Sequence, residues 1–140
     1  MSAHTLDRYR PWFYAAAAYN LIWGSANVLF PQLLFDLLNM PPPSYPALWQ
    51  VVGMFVLVYA PEYWWAGRNP ARHPHLILIG LLGKVLGPLG FLWSLINGPL
   101  PGAFGWTILT NDLLWWPAFV LYLRDAIRER EDIWQFLRGE

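Results

Sequence analysis

The sequence predicts an all-α integral membrane protein, an antiparallel bundle of four transmembrane helices. The chain has 140 residues, of which 56% are hydrophobic, 18% aromatic and only 13% charged, and its mean hydropathy is +0.30. In soluble domains roughly a quarter of the residues are charged. A soluble chain of this small size could not bury so much apolar surface. Four apolar stretches are also long enough to cross a bilayer, which takes about 20 helical residues.

The predicted spans cover residues 12–30, 45–66, 75–97 and 103–123 of a single domain, residues 1–140. The segments between them are short and contain the helix breakers of "PPPSYP", "GRNPARHPH" and "NGPLPG". Short connections make consecutive helices antiparallel neighbours. The first apolar run follows arginines, as in a signal peptide, but it lacks a convincing small-residue cleavage site, so we interpret it as a retained first span.

The arginines predict the orientation of the bundle. Arg8 and Arg10 precede the first span, Arg68 and Arg72 lie between the second and third, and a further four arginines follow the fourth. The two remaining loops contain no lysine or arginine. Because positively charged loops stay on the cytoplasmic side, both termini are expected in the cytoplasm.

Two segments are expected at the membrane surface or beyond it. "PQLLFDLLNM", residues 31–40, begins with a proline suited to a first helical turn and is too short to span, so it predicts a short helix at the outer interface. The cytoplasmic tail, residues 124–140, is amphipathic, with Ile127, Trp134 and Leu137 at helical spacing. It is either an extension of the fourth helix or a helix lying on the membrane.

Two stripes of small and polar residues predict close helix packing. They follow helical spacing in the first span (Ala17, Asn20, Gly24, Asn27) and in the third (Gly80, Gly83, Gly87, Gly90, Ser94, Asn97). Small residues let helix backbones approach closely, and such packing holds helices together in lipid. The glycines suit an internal contact and a homo-oligomer equally well.

Lys84 and Asp112 are the charges expected deepest in the bundle. At 1.5 Å per residue, both lie within about 5 Å of mid-membrane depth, where an ionised side chain costs about 2.5–3.5 kcal/mol on insertion scales. Buried charges are normally paired, so we expect Asp112 to pair with Lys84, with Asn111 and Asn20 as further partners. Such a pair either fixes helix register or marks a proton or ligand path.

Glu62 stands in "APEYWWAG", nearer the cytoplasmic end of the second span. Together with the aromatic residues beside it, Glu62 either belongs to an interfacial belt or opens a polar path from the cytoplasm toward Lys84.

Aromatic side chains near Asp112 are candidates for a ligand site. Trp115 and Trp116 follow Asp112 by three and four residues, so in a continuous helix they share its face. Trp23 and Tyr63 are further candidates. Aromatic walls beside a carboxylate could hold a flat apolar or cationic ligand, or the same residues could be bulky core.

Composition excludes several classes of function. The net charge is zero, so nothing indicates a nucleic-acid partner. The absence of cysteine excludes disulfides and thiol catalysis. The three histidines, His4, His73 and His75, fall outside the interior of the spans, so neither a haem nor another metal site is predicted. No cofactor is predicted, although the aromatic site would suit a bound lipid, quinone or pigment.

The segments "YNLIWG", "LWQVVGM", "LLGKVLGPLGF" and "NDLLWWPAF" give the chain a family resemblance. It resembles a group of small uncharacterised bacterial four-span membrane proteins, some labelled alkyl hydroperoxide reductases, and its layout is loosely similar to DoxX-type proteins. Peroxidases of that name need a reactive cysteine, which this chain lacks, so the resemblance does not imply that activity. It implies a bacterial inner-membrane location.

Three functions remain open. The favoured one is a non-catalytic accessory subunit of a larger membrane complex, because the chain has almost no extramembrane domain. The second is a binding module for a quinone, lipid or tetrapyrrole near Asp112. The third is a proton-coupled carrier or membrane enzyme that uses Glu62, Lys84 and Asp112 as relay groups.

Overall fold

The computed structural model describes residues 4–130 and 133–139, and the regular elements of this part are all helical. The all-α prediction is therefore confirmed. The helices are α1 (His4–Asp7), α2 (Arg10–Leu29), α3 (Leu33–Leu37), α4 (Pro46–Arg68), α5 (Pro74–Asn97), α6 (Gly105–Asn111), α7 (Trp116–Glu129) and α8 (Ile133–Arg138). Two 3-10 turns, Gly102–Phe104 and Leu113–Trp115, precede α6 and α7.

The three long helices α2, α4 and α5 lie within a few residues of the first three predicted spans. Each has a proline in its first turn, namely Pro11, Pro46 and Pro74. The missing N–H of a proline is not needed there, because the first turn of a helix has no internal acceptors for its N–H groups. The predicted interfacial segment contains the short helix α3.

The fourth predicted span is not one continuous helix. α6 ends at Asn111, Asp112 has distorted helical angles with φ −118° and ψ −67°, and the 3-10 turn Leu113–Trp115 separates it from α7, which begins at Trp116. Pro117 contributes to the break, because it has no N–H to donate to the carbonyl of Leu113. α7 then extends past residue 123 to Glu129, so the tail begins as a continuation of the fourth segment. Residues 131 and 132 of the tail lie outside the described residues.

Gly24 and Gly53 mark the closest approach of α2 and α4. A Cβ atom on Gly24 would lie 2.9 Å from the carbonyl oxygen of Gly53, and one on Gly53 would lie 2.9 Å from that of Gly24. About one helical turn from this crossing, Gln50 of α4 donates a hydrogen bond to the carbonyl of Val28 of α2 over 2.8 Å. The two helices are thus in backbone contact, and only glycine fits at the crossing.

Hydrogen bonds bring three distant parts of the chain to one end of the molecule. Arg8 and Tyr9 bind the carboxylate of Asp125, and the hydroxyl of Tyr122 donates to the carbonyl of Pro70 over 2.5 Å. The start of α2, the α4–α5 loop and the end of α7 therefore lie together. These are the segments that carry the arginines.

The core near this end is aromatic. The rings of Phe13, Tyr63, Phe119 and Tyr122 are buried and meet edge to face, with centroids 4.8 Å apart for Phe13–Tyr122 and 5.3 Å apart for Tyr63–Phe119. Edge-to-face pairs add to the gain from apolar burial. This cluster packs α2, α4 and α7 against one another.

Among the described residues, one helix is long and apolar enough to cross a membrane by length and composition. This is Pro74–Asn97, with a mean hydropathy of 1.9 over 18 residues. The criterion thus supports one of the four predicted spans and not the four-span arrangement. The other long helices include tryptophan, tyrosine, asparagine and arginine, which lower their hydropathy.

Many large apolar side chains are exposed on the surface of the long helices, and several polar side chains are buried. Large apolar side chains face outward along the long helices, with exposed fractions of 71% for Ile22, 66% for Phe55 and 80% for Ile96. Buried polar side chains are Asn20, Asn27, Lys84, Thr107, Asp112 and Asp125.

Asp125 predicts acid sensitivity of the contact between α2 and α7. Burial raises the pKa of Asp125, but hydrogen bonds from Tyr9, Arg124 and Arg8 outweigh it, so the pKa lies below its usual value. A lowered pKa stabilises the fold above the unfolded value of about 3.9, and this stabilisation is lost as the pH falls through the folded pKa. The thermal midpoint of the wild type should therefore decrease when the pH is lowered below about 4.

Asp125→Asn should be less stable than the wild type at neutral pH and should lose less on acidification. The exposed Asp36→Asn is the matched control and should keep the acid dependence of the wild type. Thermal melts followed by circular dichroism from neutral to acidic pH measure both effects. An unchanged acid dependence in Asp125→Asn would contradict this assignment.

Candidate ligand-binding site

A cavity of about 260 Å³ lies among α2, α4, α5 and the end of α6. Asn20, Lys84 and Asp112 line it, and each is no more than 4% exposed. Its further polar lining consists of Tyr59, Tyr63 and Asn111, and its apolar lining of Val52, Phe55 and Val56. Polar groups from three separate parts of the chain thus converge on one space.

Glycines of α5 make room for the side chains of this cavity. A Cβ on Gly80 would lie 2.6 Å from the hydroxyl oxygen of Tyr63, and one on Gly87 would overlap the carboxylate of Asp112. A Cβ on Gly83 would lie 3.4 Å from the hydroxyl oxygen of Tyr59, whereas one on Gly90 would meet no atom within 4 Å. The glycine stripe of α5 therefore accommodates the side chains of Tyr59, Tyr63 and Asp112 more than it packs against another backbone.

Lys84 binds the end of a helix. Its ammonium donates a hydrogen bond to the main-chain carbonyl of Asn111 over 2.5 Å. α6 ends at Asn111, and the last carbonyls of a helix lack internal donors and carry partial negative charge. The rings of Tyr63 and Trp115 flank the ammonium, with centroids 5.7 and 5.8 Å away.

The predicted Lys84–Asp112 ion pair is not among the salt bridges of the described residues. Asp112 and Glu62 interact with Lys84 electrostatically at longer range. The break at Asp112 therefore places a backbone carbonyl, rather than a carboxylate, against the ammonium.

The main-chain carbonyl of Lys84 is also bound by α7. Pro88 has no N–H, so the carbonyl of Lys84 lacks its usual donor four residues ahead. The indole N–H of Trp116 donates to this carbonyl over 3.1 Å. One residue of α5 thus binds both sides of the break, through its side chain to Asn111 and through its carbonyl to Trp116.

We expect Trp116→Phe to destabilise the fold by about 1–2 kcal/mol, because it leaves the carbonyl of Lys84 without a donor. Pro88→Ala restores an N–H at residue 88, which can donate to the same carbonyl. In the Pro88→Ala background, Trp116→Phe should therefore cost much less. Unfolding of all four proteins in mixed micelles with rising SDS measures the coupling, and equal costs in the two backgrounds would contradict it.

The remaining polar groups of the cavity leave oxygen atoms without partners. The amide nitrogen of Asn20 donates to the carbonyl of Val56 over 3.3 Å, and that of Asn111 donates to Oδ1 of Asp112 over 3.1 Å. The Oδ1 atoms of Asn20 and Asn111 are buried without a hydrogen-bond partner, as is Oε1 of Glu62, which lies outside the lining. Buried oxygens of this kind normally have a partner.

The structure separates the residues that the sequence grouped as ligand candidates. Tyr63 lines the cavity, whereas Trp115 and Trp116 contact Lys84 from outside its lining. Trp115 donates to the carbonyl of Thr110 over 2.9 Å. Trp23 packs against Trp49 at a centroid distance of 6.0 Å, away from the cavity. The aromatic wall is thus made of tyrosine and phenylalanine rather than of tryptophan.

Two aromatic residues of the site, Tyr59 and Phe55, were not predicted from the sequence, and Glu62 occupies a position different from the one predicted. Tyr59 lines the cavity four residues before Tyr63, a spacing that places both on one helix face. Phe55 lies one further turn back on the same face. Glu62 does not line the cavity but approaches the backbone of Gly80, which does.

The described residues contain no group of three or more histidine, cysteine, aspartate or glutamate side chains that could hold a metal ion. His75 instead contacts the carbonyl of Phe136 through Nε2 over 2.5 Å and stacks on its ring. It thereby holds α8 against the start of α5.

No protein-family description, curated protein or solved structure matches the chain.

Proposed function

We propose that the chain is a membrane-embedded bundle in which α2, α4, α5 and the α6–α7 segment each cross the bilayer. The many exposed apolar side chains support this, because lipid rather than water would solvate the outward Leu, Ile, Val, Phe and Trp side chains. The arginine-bearing segments share one end of the molecule. By the positive-inside rule this end, with both termini, lies in the cytoplasm.

Within this bundle, we propose that the protein binds a small molecule in the cavity at Lys84 and Asp112. The supporting observation is the cavity itself: about 260 Å³ of space on which three almost fully buried polar side chains converge. Polar groups at this depth are expensive and are characteristic of functional sites. A few convergent polar groups in an otherwise apolar cleft are typical of ligand sites.

The lining of the cavity indicates how the ligand enters. Val52 and Phe55 line it from α4 and are 40% and 66% exposed. The cleft between α4 and α5 therefore opens sideways, toward the proposed lipid. A ligand that partitions into the bilayer would enter by this route, with its polar part toward Lys84 and its apolar part toward Phe55.

The test is native mass spectrometry, with an absorption spectrum of the same sample, on protein purified in nanodiscs from its native membrane. We expect a small molecule bound to the 16.2 kDa chain, and we expect Asp112→Asn to lose it. Asp36→Asn, which makes the same change at an exposed position, should retain it. A folded wild type without bound material would contradict the proposal.

A second candidate is the accessory subunit of a larger membrane complex. The large outward tryptophans favour it, with exposed fractions of 71% for Trp93 and 65% for Trp106, because aromatic residues are enriched at protein interfaces. In the same mass spectra, this function predicts larger subunits co-purifying with the chain, and a bare chain would argue against it.

A further inference from the structure

We infer that the ligand of the cavity is a small organic ammonium that donates N–H hydrogen bonds and carries an apolar group. The inference rests on the binding function proposed above and names the chemical class of the ligand. It stands on the unpartnered oxygens of the site, on its charge balance and on its aromatic wall.

The unpartnered buried atoms of the site are acceptors. In the cavity lining they are Oδ1 of Asn20 and Oδ1 of Asn111. Each amide nitrogen already donates to an oxygen, that of Asn20 to Val56 and that of Asn111 to Asp112. Rotating either amide by 180° would place oxygen against oxygen, so the orientations are fixed. Within the described part of the chain, no buried side-chain nitrogen lacks a partner.

A ligand that completes these oxygens must donate hydrogen bonds. Asn20 is only 3% exposed and lines the cavity, so the partner of its oxygen has to come from inside that space. An unsatisfied buried acceptor carries a desolvation penalty, which a bound N–H donor removes. A carboxylate or a ketone brings only acceptors and would leave both oxygens unpaired.

The charged groups around the cavity also favour a cationic ligand. Glu62 and Asp112 interact with a single cation, Lys84, which is the one lysine of the chain. Two carboxyl groups thus lie near one ammonium, and a second cation would stabilise their ionised forms. An ammonium ligand would be such a cation and would also bring the required donors.

The apolar lining accommodates the rest of such a ligand. Tyr59 and Phe55 offer ring faces and edges beside the space, and a cation near an aromatic ring gains further attraction. The volume of about 260 Å³ lies just below the range for drug-sized ligand pockets, roughly 300–1,000 Å³, so the ligand is small. A primary amine with one ring or a short chain fits this description.

The test uses four probes of matched shape, titrated calorimetrically into the protein in nanodiscs, with empty nanodiscs as blank. The probes are phenethylammonium, its N,N,N-trimethyl derivative, 2-phenylethanol and 3-phenylpropanoate. We expect phenethylammonium to bind at least about tenfold more tightly than the other three, the effect of losing one charge-assisted hydrogen bond.

Variants locate the binding. Asn20→Leu, which removes an acceptor of the lining, should weaken phenethylammonium binding about tenfold. Asp36→Asn is the control and should bind like the wild type. Should Asn20→Leu fail to fold, Asp112→Asn, which removes a carboxylate of the lining at nearly constant size, should show the same loss.

The outcomes separate the ligand class from the binding function. Tightest binding of 3-phenylpropanoate would overturn the inference in favour of an anion site at Lys84 and leave the binding function standing. Equally tight binding of the trimethyl derivative would show that N–H donors are not needed. Equally tight binding of 2-phenylethanol would show that a charge is not needed. Either result overturns the inference. Failure of all four probes overturns it as well. The binding function itself fails only if the wild type also carries no co-purified molecule.

Discussion

Lys84→Met should destabilise the protein by about 3–5 kcal/mol, the usual cost of removing one member of a buried charged network. The substitution removes the donor to the carbonyl of Asn111 and leaves Asp112 and Glu62 without their nearby cation. Unfolding in mixed micelles with increasing SDS measures the loss. Arg68→Met, which removes an exposed charge at the end of α4, should change stability by less than about 1 kcal/mol.

The double variant Lys84→Met, Asp112→Leu distinguishes a charge network from independent contributions. If Asp112 is costly in Lys84→Met because its charge is uncompensated, removing that charge should recover part of the stability, and the double variant should be more stable than Lys84→Met alone. Strictly additive losses would contradict electrostatic coupling between the two residues.

Gly24→Leu should cost about 3 kcal/mol by overpacking the crossing of α2 and α4. Even a Cβ atom there would lie 2.7 Å from Cγ of Leu57 and 2.9 Å from the carbonyl oxygen of Gly53. The oxygen belongs to the backbone and can move only if the two helices separate. The same SDS titration measures this effect.

Gly90→Leu is the matched control for that substitution. A Cβ at Gly90 meets no atom within 4 Å, and leucine has a higher helix propensity than glycine by roughly 0.8 kcal/mol. Gly90→Leu should therefore be neutral or slightly stabilising. Equal damage from the two substitutions would show that the α2–α4 crossing is not the tight contact described.

Helix positions were largely readable from the sequence because their signals are local. A proline opens α2, α4 and α5, and each of these helices coincides with an apolar run long enough to be recognised by length alone. The short helix α3 likewise begins after a proline. Signals of this kind depend on the chain itself and not on its neighbours in the fold.

The break at Asp112 was not predicted, although its components stand in the sequence. Apolar residues continue on both sides of it, so length and hydropathy indicate one span. Pro117 stands only at the second position of α7, where it also suits a helix start. Lys84 and Trp116 make hydrogen bonds across the interruption, and those contacts are made only in the folded chain.

The sequence named most of the polar residues of the cavity but not their pairing. A lysine and an aspartate at similar depth suggest an ion pair, because side-chain charges are visible in a sequence. A main-chain carbonyl freed by a helix end is not visible in this way. Tyr59 was missed for another reason: its spacing from Tyr63 is that of any helix face, and only the glycines opposite reveal that the face borders a cavity.

The central claim is that these helices cross a membrane, and single-cysteine labelling tests it most directly. The chain has no cysteine of its own, so Arg72→Cys and Asn97→Cys, both at exposed positions near the two ends of α5, report without background. In intact spheroplasts, a membrane-impermeant maleimide should label Asn97→Cys at once and Arg72→Cys only after lysis. Equal labelling of both before lysis, or protection of both until lysis, would contradict the membrane-spanning arrangement.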